Sequence, residues 1–489
     1  MKKIALIISV AFFVVLPFSG CKKILEVKPQ SRITEEVFFH NEGDFEPNVV
    51  GIYTIMRSLT NNITYGTERS EELVSALNSR FGVAWSQTLS PSSGAINYAE
   101  WYRGIGHCNL LLLKIKDFSF SSNPDLKKKI IAETHCLRAF FFYHLLRVIG
   151  DAPLMLSAIV DENVPLLPRA KAADVMKQIK DDLNEAIGQF TSMSQFSKTS
   201  YPSKYRFSYG SAQAMKADAC LWSAKVLGGG QADFQEAITA LNEVMQTGAS
   251  LNADFKNVTG IRASNNSEVI LAAYYQRDET GSNYGVNALP YLSGIAGATN
   301  LDQIPYCLST ANGQGAYQIS PLSKSLFTNT ADKRIPGTWV VEMQPSGPKI
   351  SWITKYPGTK YTDDRVSDND LIIYRLADVF LMRAEAYAGL NDVTNAKKDL
   401  DVVRQRAGIG DYSGPLDKNS IEKEILNERG REFFFENKRW FDLVRFHKGG
   451  TIDVYNYVPN LKGKTTPLFW PLNTTVLANN PNIQQTAGY

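Results

Sequence analysis

Apolar residues recur every three or four positions in nine long segments of the sequence, and this spacing constrains the fold more than any other feature. Such spacing places the apolar side chains on one face of an α-helix, so it predicts a mainly α-helical protein. A shorter helix is expected after a cap at Ser31 or Thr34. The nine predicted helices cover residues 44–59, 99–116, 124–148, 172–190, 211–227, 233–247, 371–390, 394–407 and 420–446.

The predicted helices follow one another as pairs, which indicates helical hairpins. In the pair at residues 375–407, the small residues Ala384 and Ala396 face each other from the two helices. Small side chains let two helices cross closely, and Tyr387 and Leu400 would fill the space beside the crossing. This spacing resembles the tetratricopeptide repeat, and a plain amphipathic hairpin would also produce it. We expect a tetratricopeptide-like helical-repeat array.

Two stretches of irregular sequence interrupt the helical pattern. Residues 251–370 are rich in Gly, Asn, Ser, Pro and aromatic side chains and contain strand-like runs at 269–275 and 339–343, while residues 61–97 interrupt the first helix pair. Long irregular segments are usually functional or disordered, and the aromatic content argues against disorder. We expect one domain over residues 21–489, with helical repeats at about 31–250 and 371–447, a partly β insertion at about 251–370 and an extended tail at 448–489.

The N-terminus has the pattern of a secretory signal peptide. Lys2 and Lys3 precede an apolar run at residues 4–18, which is shorter than the roughly 20 residues that a membrane-spanning helix needs. Small residues then come directly before Cys21, and the following sequence is polar. This order resembles the bacterial lipoprotein signal, in which residues 1–20 are removed and Cys21 carries the lipid. An ordinary signal peptide with an incidental cysteine is the alternative.

Composition argues against several classes of protein. The formal charge is +3, and the loss of Lys2 and Lys3 with the signal peptide leaves +1, which does not suit a nucleic-acid-binding protein. No later apolar run is long enough to span a membrane. The sequence shows no Gly-x-Ser-x-Gly nucleophile elbow, no phosphate-binding Gly-Lys-Ser loop and no marked carboxylate pair, so we expect a protein that is not an enzyme.

Cysteine and histidine usage indicates neither a disulfide framework nor a metal site. Cys108, Cys136, Cys220 and Cys307 are far apart without any CxxC pair, so we expect small buried side chains on helices. The five histidines form no HxxH or HxxxH pattern. A zinc site is therefore not expected, and no cofactor is implied.

Four glutamates near the C-terminus lie at four-residue intervals, which places them on one face of a predicted helix. They are Glu424, Glu428, Glu432 and Glu436, and several arginines lie among them. Helical carboxylate sites for two metal ions usually add Glu-x-x-His motifs, which are absent from this segment. We predict instead an ion-pair network that docks this helix onto the repeat array.

Four places in the sequence carry recognisable motifs. The first two are Leu25-Glu26-Val27-Lys28-Pro29 after the cysteine and residues 374–387 at the last repeat. The third is residues 428–445, with Glu428-Arg429, Glu432-Phe433 and Arg439-Trp440, and the fourth is the C-terminal Trp470-Pro471-Leu472, Asn480-Pro481-Asn482 and Gly488-Tyr489. Together these motifs resemble the SusD/RagB family of surface lipoproteins from Bacteroidetes. The motifs occur in the family's order along nearly the whole mature chain. Asn437 stands where glycine is common, and asparagine also tolerates left-handed geometry. Thr486-Ala487 stands where Asn-Pro is usual.

The resemblance implies a function. Family members lie on the outer face of the outer membrane, pair with a SusC-like TonB-dependent transporter, and capture oligosaccharides without catalysing a reaction. The repeat face typically packs on the transporter, and the irregular segments hold the ligand. A peptide-binding member of the family, or a scaffold of the transporter complex that binds no ligand, would share the same motifs.

Aromatic and planar polar side chains in the irregular stretches are the candidate ligand contacts. Aromatic rings pack against the apolar faces of sugars, and amides, carboxylates and guanidiniums hydrogen-bond to the hydroxyls at the edge. Each of these side chains could instead pack its own loop. The insertion at residues 251–370 also contains the aromatic residue Tyr306, with Asp302 nearby in the sequence. The candidates are Trp85, Arg80, Tyr65, Tyr284, Tyr291 and Trp339.

Overall fold

The computed structural model describes residues 39–78, 81–160, 164–199 and 203–489. The predicted signal peptide, Cys21, Arg80 and the short helix expected after Ser31 or Thr34 lie outside the described residues. The described chain is mainly helical with few, short strands, which confirms the predicted fold class. None of its helices is both long enough and apolar enough to cross a membrane.

Eight long helices form four consecutive hairpins. They are α1 Phe45–Thr60, α2 Ala99–Lys114, α3 Pro124–Ile149, α4 Ala172–Thr191, α5 Tyr209–Val226, α6 Gly230–Met245, α7 Leu376–Gly389 and α8 Val393–Ala407. Each helix packs on the next, and α6 packs on α7 across the insertion that separates them in sequence. Stacked hairpins bury one continuous core, and this confirms the predicted tetratricopeptide-like array.

The close crossing of α7 and α8 depends on small side chains, as the sequence predicts. Ala384 and Ala396 are fully buried, and Leu400 is buried in the same core. Tyr387 packs half-buried at its edge. A larger side chain at either alanine would have to push the two helices apart, since packed interiors leave little free volume.

Ten short strands form five two-stranded antiparallel pairs in the described chain. They are β1 Leu73–Ser75, β2 Ala152–Pro153, β3 Arg169–Ala170, β4 Val269–Ala273, β5 Tyr317–Ile319, β6 Trp339–Gln344, β7 Gly347–Ile353, β8 Thr359–Lys360, β9 Arg365–Val366 and β10 Leu371–Arg375. Single-turn helices lie at Lys256–Gly260, Arg277–Thr280, Pro321–Ser325, Val454–Tyr457 and Thr474–Asn479. Because β1 pairs with β5, residues 61–98 and 251–370 join to form what we call the non-helical layer.

The segment expected to begin a helix at residue 371 begins as a strand. Strand β10 pairs with β4, and the adjacent β-branched residues Ile372 and Ile373 suit an extended backbone. Helix α7 starts only afterwards, where the Asp378 carboxylate accepts a hydrogen bond from the Arg375 backbone N–H at 3.1 Å. The prediction was wrong for these residues because pairing with a distant strand outweighs the local apolar spacing.

The glutamate-rich segment forms two helices, so the single helix expected over residues 420–446 was wrong. Helix α9 spans Lys418–Glu432 and helix α10 spans Arg439–Lys448. In the corner between them, residues 433–438, Phe435 has φ 61° and Asn437 has φ 58°. Left-handed residues end a helix, and asparagine adopts this conformation more readily than most side chains.

The corner also explains where the fourth glutamate lies. Glu436 falls beyond the end of α9, so it is not on the helix face that was expected to carry all four glutamates. Asn437 accepts a hydrogen bond from the Gly66 backbone N–H at 2.9 Å, and a Cβ at Gly66 would lie 1.9 Å from the Asn437 carbonyl oxygen. Only glycine fits at this contact, which clamps the corner to the non-helical layer.

All four described cysteines are buried free thiols. Cys108, Cys136 and Cys220 lie on α2, α3 and α5, as predicted. Cys307 is also buried, but the prediction of a helical position is wrong, because its backbone forms a parallel bridge with Tyr291.

The predicted ion-pair network is present and is centred on Arg375, at the junction of β10 and α7. Its buried guanidinium donates to Glu268 at 2.7 Å, to Glu432 at 2.6 Å and to Glu436 at 2.8 Å. Burial alone would raise the pKa of Glu432, but the guanidiniums of Arg406, Arg375 and Arg334 hold it well below its usual range. The network therefore keeps charged groups ionised inside the protein.

Further cations extend the network into the non-helical layer. Arg334 donates to Glu428 at 2.5 Å, to Glu432 at 3.0 Å and to Asp332 at 2.7 Å. Lys355 pairs with Glu436 at 2.5 Å. Both cations come from the insertion, so α9 and the corner are bound to this layer by charge as well as by apolar contact.

Arg69 is a buried cation outside this network, and it fixes the C-terminal tail. Its guanidinium lies between the rings of Trp440 and Trp470, 4.3 and 4.2 Å from their centres. It donates to Gln87 at 3.1 Å and to the Leu468 carbonyl at 2.8 Å, and also to the Pro467 carbonyl. Burial lowers the pKa of Arg69 to about 10.

We predict that Arg375→Met destabilises the protein by about 3–5 kcal/mol, because it leaves buried carboxylates without their cation. Urea unfolding followed by circular dichroism measures this change. Lys177→Gln, which breaks an exposed pair with Asp181, is the control and should change the midpoint little. Equal effects of the two substitutions would contradict the role given to Arg375.

Candidate ligand-binding groove

The sequence-predicted ligand residues do not converge on one pocket. Trp85 is half-buried, and its Nε1 donates to the Leu73 carbonyl at 3.0 Å. Phe81 is stacked between Trp85 and Tyr317, with ring centres 4.5 and 4.9 Å apart. This stack joins residues 61–98 to the insertion, and a ligand contact at Trp85 stays a prediction.

Two of the candidates are packing residues. Tyr65 makes edge-to-face contacts with Trp101, His144 and Trp470, and burial raises its pKa to about 12. Tyr284 is 5% exposed, and its hydroxyl donates to the Phe435 carbonyl at 3.0 Å. Aromatic neighbours pack against both rings, and ligand contacts at Tyr65 and Tyr284 stay predictions.

Tyr291 and Trp339 are partly accessible but lie apart. Tyr291 accepts a hydrogen bond from Asn78 at 3.3 Å, across the two parts of the non-helical layer. Trp339 begins β6 and packs edge-on against Phe327 at 4.7 Å. Ligand contacts at these two residues stay predictions, and Arg80 lies outside the described residues.

The insertion forms a groove of about 450 Å³, large enough for a small organic ligand. One wall is the segment 301–308, with Asp302 and Tyr306, and the other is the β8–β9 hairpin, with Lys360, Tyr361 and Arg365. Two tyrosine rings and several charged or polar groups therefore line one cleft.

The ring of Tyr361 is held in place before any ligand arrives. Its hydroxyl donates to Asp368 at 2.6 Å, and the Arg277 guanidinium lies 4.8 Å from the ring centre. The hydrogen bond to Asp368 is the main reason that the pKa of Tyr361 is raised. Tyr306 packs against the buried cluster around Ile304 and Trp352, so its ring is also supported from behind.

Asp364 ties the two walls of the groove together. Its carboxylate accepts hydrogen bonds from the Leu308 N–H at 2.6 Å, from Ser309 Oγ at 3.0 Å and from Asn312 at 3.0 Å. Because Asp364 belongs to the hairpin and its donors belong to the opposite wall, the cleft is preformed, which lowers the entropic cost of binding.

Sequence reasoning named only two of the residues that line this groove. Tyr306 and Asp302 were noted as insertion residues, whereas Lys360, Tyr361 and Arg365 were not singled out. Residues 361–364 read Tyr-Thr-Asp-Asp, a polar turn with an aromatic residue at its edge, and this was the available signal.

Two other places in the described chain are less suited to a ligand. A cavity of about 80 Å³ between α3, α5 and the 433–438 corner has room only for water and is lined by paired charges such as Arg429 with Asp442. Cys220, Asp233 and Glu236 lie close enough to hold a metal ion, but Lys180 contacts both carboxylates. That cluster is explained as a salt bridge.

Two family models match the sequence. The model of the SusD family matches residues 342–489, and the model described as "starch-binding associating with outer membrane" matches residues 23–217.

Individual relatives agree over the full length. The SusD-like protein P38 of Formosa agariphila is 24% identical over 99% of both chains. Among solved structures, NanU of Bacteroides fragilis has a TM-score of 0.78 at 27% identity and covers 95% of this chain and 100% of its own. A laminarin-binding SusD-like protein has a TM-score of 0.72 at 22% identity, covering 92% of this chain and 100% of its own. Together with the repeat array, these matches show that the chain belongs to the SusD/RagB family of outer-membrane-associated, glycan-binding proteins.

Proposed function

We propose that this protein is a lipoprotein anchored through Cys21 to the outer membrane and facing outward. It binds oligosaccharides in the groove between Tyr306 and Tyr361 and delivers them to a SusC-like TonB-dependent transporter. It acts by binding alone, without catalysis. The observation that carries the proposal is the preformed groove, in which two supported tyrosine rings stand beside polar groups on the non-helical layer.

The chemistry of the groove suits a sugar. A pyranose ring offers an apolar C–H face to Tyr306 or Tyr361, and its hydroxyls can reach the charged and polar groups of the hairpin. One solved relative of the same fold is described as laminarin-binding, which supports an oligosaccharide ligand. Trp85, Tyr291 and Trp339 remain candidates for contacts with a longer ligand.

An exposed apolar surface supports a protein partner. Six side chains, each between 39% and 55% exposed, lie on the β2–β3 connection and the adjacent part of α2: Leu113, Leu156, Ile159, Val160, Val164 and Leu166. Leu113 and Leu156 line one shallow groove. Exposed apolar clusters usually mark interaction sites, and these side chains belong to the helical array and not to the non-helical layer that contains the proposed groove.

The position of the N-terminus is consistent with this partner surface. The described chain begins at Phe39, which packs on Phe45, and Phe45 contacts Phe118 just beyond the end of α2. The chain between Cys21 and Phe39 could extend at most about 60 Å. An anchor at Cys21 would therefore hold the α2 end of the array within reach of a transporter in the same membrane.

We predict that Tyr361→Ala and Tyr306→Ala each weaken oligosaccharide binding about tenfold or more, because each removes an aromatic face. Isothermal titration of the soluble protein, starting after Cys21, against a panel of oligosaccharides and peptides measures this. Tyr412→Ala, at a half-buried tyrosine in a different groove beside α9, is the matched control and should bind normally. Binding of peptides alone would move the protein to the peptide-binding branch, and no binding to either class would leave the scaffold alternative.

We predict that Cys21→Ala abolishes incorporation of labelled palmitate and releases the protein from the membrane fraction, because the proposed lipid anchors it there. Cys307→Ala, at a buried cysteine, should leave both properties unchanged. Protease treatment of intact cells tests orientation, since an outward-facing protein is digested. Unchanged labelling of the Cys21 variant would show that the N-terminus is an ordinary signal peptide.

We predict that Leu156→Glu combined with Val160→Glu abolishes co-purification with the SusC-like TonB-dependent transporter proposed as the partner. Charges placed in an apolar interface cannot be desolvated without a large cost. Leu416→Glu is the control, because Leu416 is 58% exposed on the α8–α9 connection, outside this surface. Retained co-purification of the double variant would rule out this surface as the docking site.

A further inference from the structure

The proposed groove contains two cationic side chains that have no ion-pair partner among the residues the structure describes. Lys360 ends β8 and Arg365 begins β9, and the two residues are directly opposite each other in the antiparallel pair. Side chains in this relation project to the same face with Cβ atoms about 5 Å apart, and like charges placed so are destabilising. Both side chains line the groove.

The guanidinium of Arg365 is oriented but only partly used. Its Nη1 donates to the carbonyls of Pro357 and Gly358, at 3.0 Å each. Its Nε is buried without a hydrogen-bond partner, whereas Nη2 makes no hydrogen bond within the described chain and is not among the buried atoms. Burial lowers the pKa of Arg365 and outweighs the opposing effect of neighbours such as Asp364. Nη2 therefore offers free donor capacity on a side chain whose position is fixed.

No carboxylate forms an ion pair with either cation in the described chain. Asp363 is bound by Arg277 in a two-pronged ion pair, with one bond of 2.6 Å. Asp364 acts on Arg365 only through its electrostatic field, because its oxygens accept the hydrogen bonds that join the groove walls. Asp302 is exposed and, within the described chain, has no ion pair. Lys360 and Arg365 therefore line the groove without a carboxylate in direct contact.

We propose that the oligosaccharide bound here carries negative charge, as a uronic-acid carboxylate or a sulfate ester, and that Arg365 and Lys360 bind that group. This inference rests on the proposed function and names the class of its ligand. The planar fork of arginine matches two oxygens of such an anion, and lysine adds a mobile point charge. The rings of Tyr306 and Tyr361 then hold the neighbouring sugar face.

The test is isothermal titration with paired ligands. The probes are oligogalacturonate, oligomannuronate and oligoglucuronate tetramers, each beside its carboxyl-reduced neutral counterpart, and a sulfated galactan tetramer beside its desulfated form. At least one anionic probe is expected to bind tenfold or more tightly than its neutral counterpart. Its affinity should fall as salt is raised, because exposed charge pairs are screened.

Three variants distinguish the effect of a changed charge on binding from an effect on folding. Lys360→Gln should cost the anionic probe about tenfold and leave neutral sugars unaffected, since the exposed Lys360 side chain makes no described contact that supports the fold. Arg365→Gln should cost more, and Asp302→Asn should strengthen anion binding two- to threefold by removing repulsion. Unfolding midpoints of all three variants guard against misfolding.

The outcomes distinguish the two proposals. Preference for a carboxylate or for a sulfate probe supports the inference and identifies the anion. Tight binding of neutral sugars that is unchanged in Lys360→Gln and Arg365→Gln would overturn the anionic ligand while leaving the proposed function standing. No binding of any saccharide, charged or neutral, would overturn both.

Discussion

The buried guanidinium of Arg375 is the point on which the two layers of the molecule depend. It stands where β10 becomes α7, so it links the strand that pairs with β4 of the non-helical layer to the repeat array. Its carboxylate partners come from the segment before β4, from the end of α9 and from the following corner. Each partner lies on a different element, and the ion pairs therefore help to fix the relative position of these elements.

Burying so many charges is costly, and a hydrophobic cluster could supply similar stability. What a charged network adds is directionality, since each carboxylate must meet a particular guanidinium. Glu432 shows this, because it accepts from Arg375, Arg334 and Arg406, which lie on three different segments. The three segments are thereby held in one arrangement around Glu432.

The sequence predicted the array well because helical hairpins are local. Spacing of apolar residues and the small pair Ala384 and Ala396 follow from contacts between helices that are adjacent along the chain. The prediction from sequence failed where contacts with distant segments determine the local backbone structure. Residues 371–375 are extended because β4 lies about a hundred residues earlier, and the corner at 433–438 exists because Gly66 receives Asn437. No local pattern encodes either contact.

The site was harder to predict for a related reason. Aromatic residues such as Tyr284 and Tyr306 look alike in sequence, yet one hydrogen-bonds inside the core and the other lines a cleft. Only the packing of the whole layer separates these roles. The same holds for Arg365, whose position opposite Lys360 follows from a hairpin register that the sequence did not reveal.

A comparison with Arg69 shows why the charges in the groove point to a ligand. Arg69 also lacks a carboxylate, but all three of its nitrogens donate to oxygen acceptors, and two indole rings cover its faces. Its charge is satisfied by the fold. Arg365 has one nitrogen bonded, another buried and unused, and a lysine opposite it. These two cations line a preformed cleft and have no ion pair among the described residues. Local features that work against stability are characteristic of functional sites. Here the partner that Arg365 and Lys360 lack is an anion.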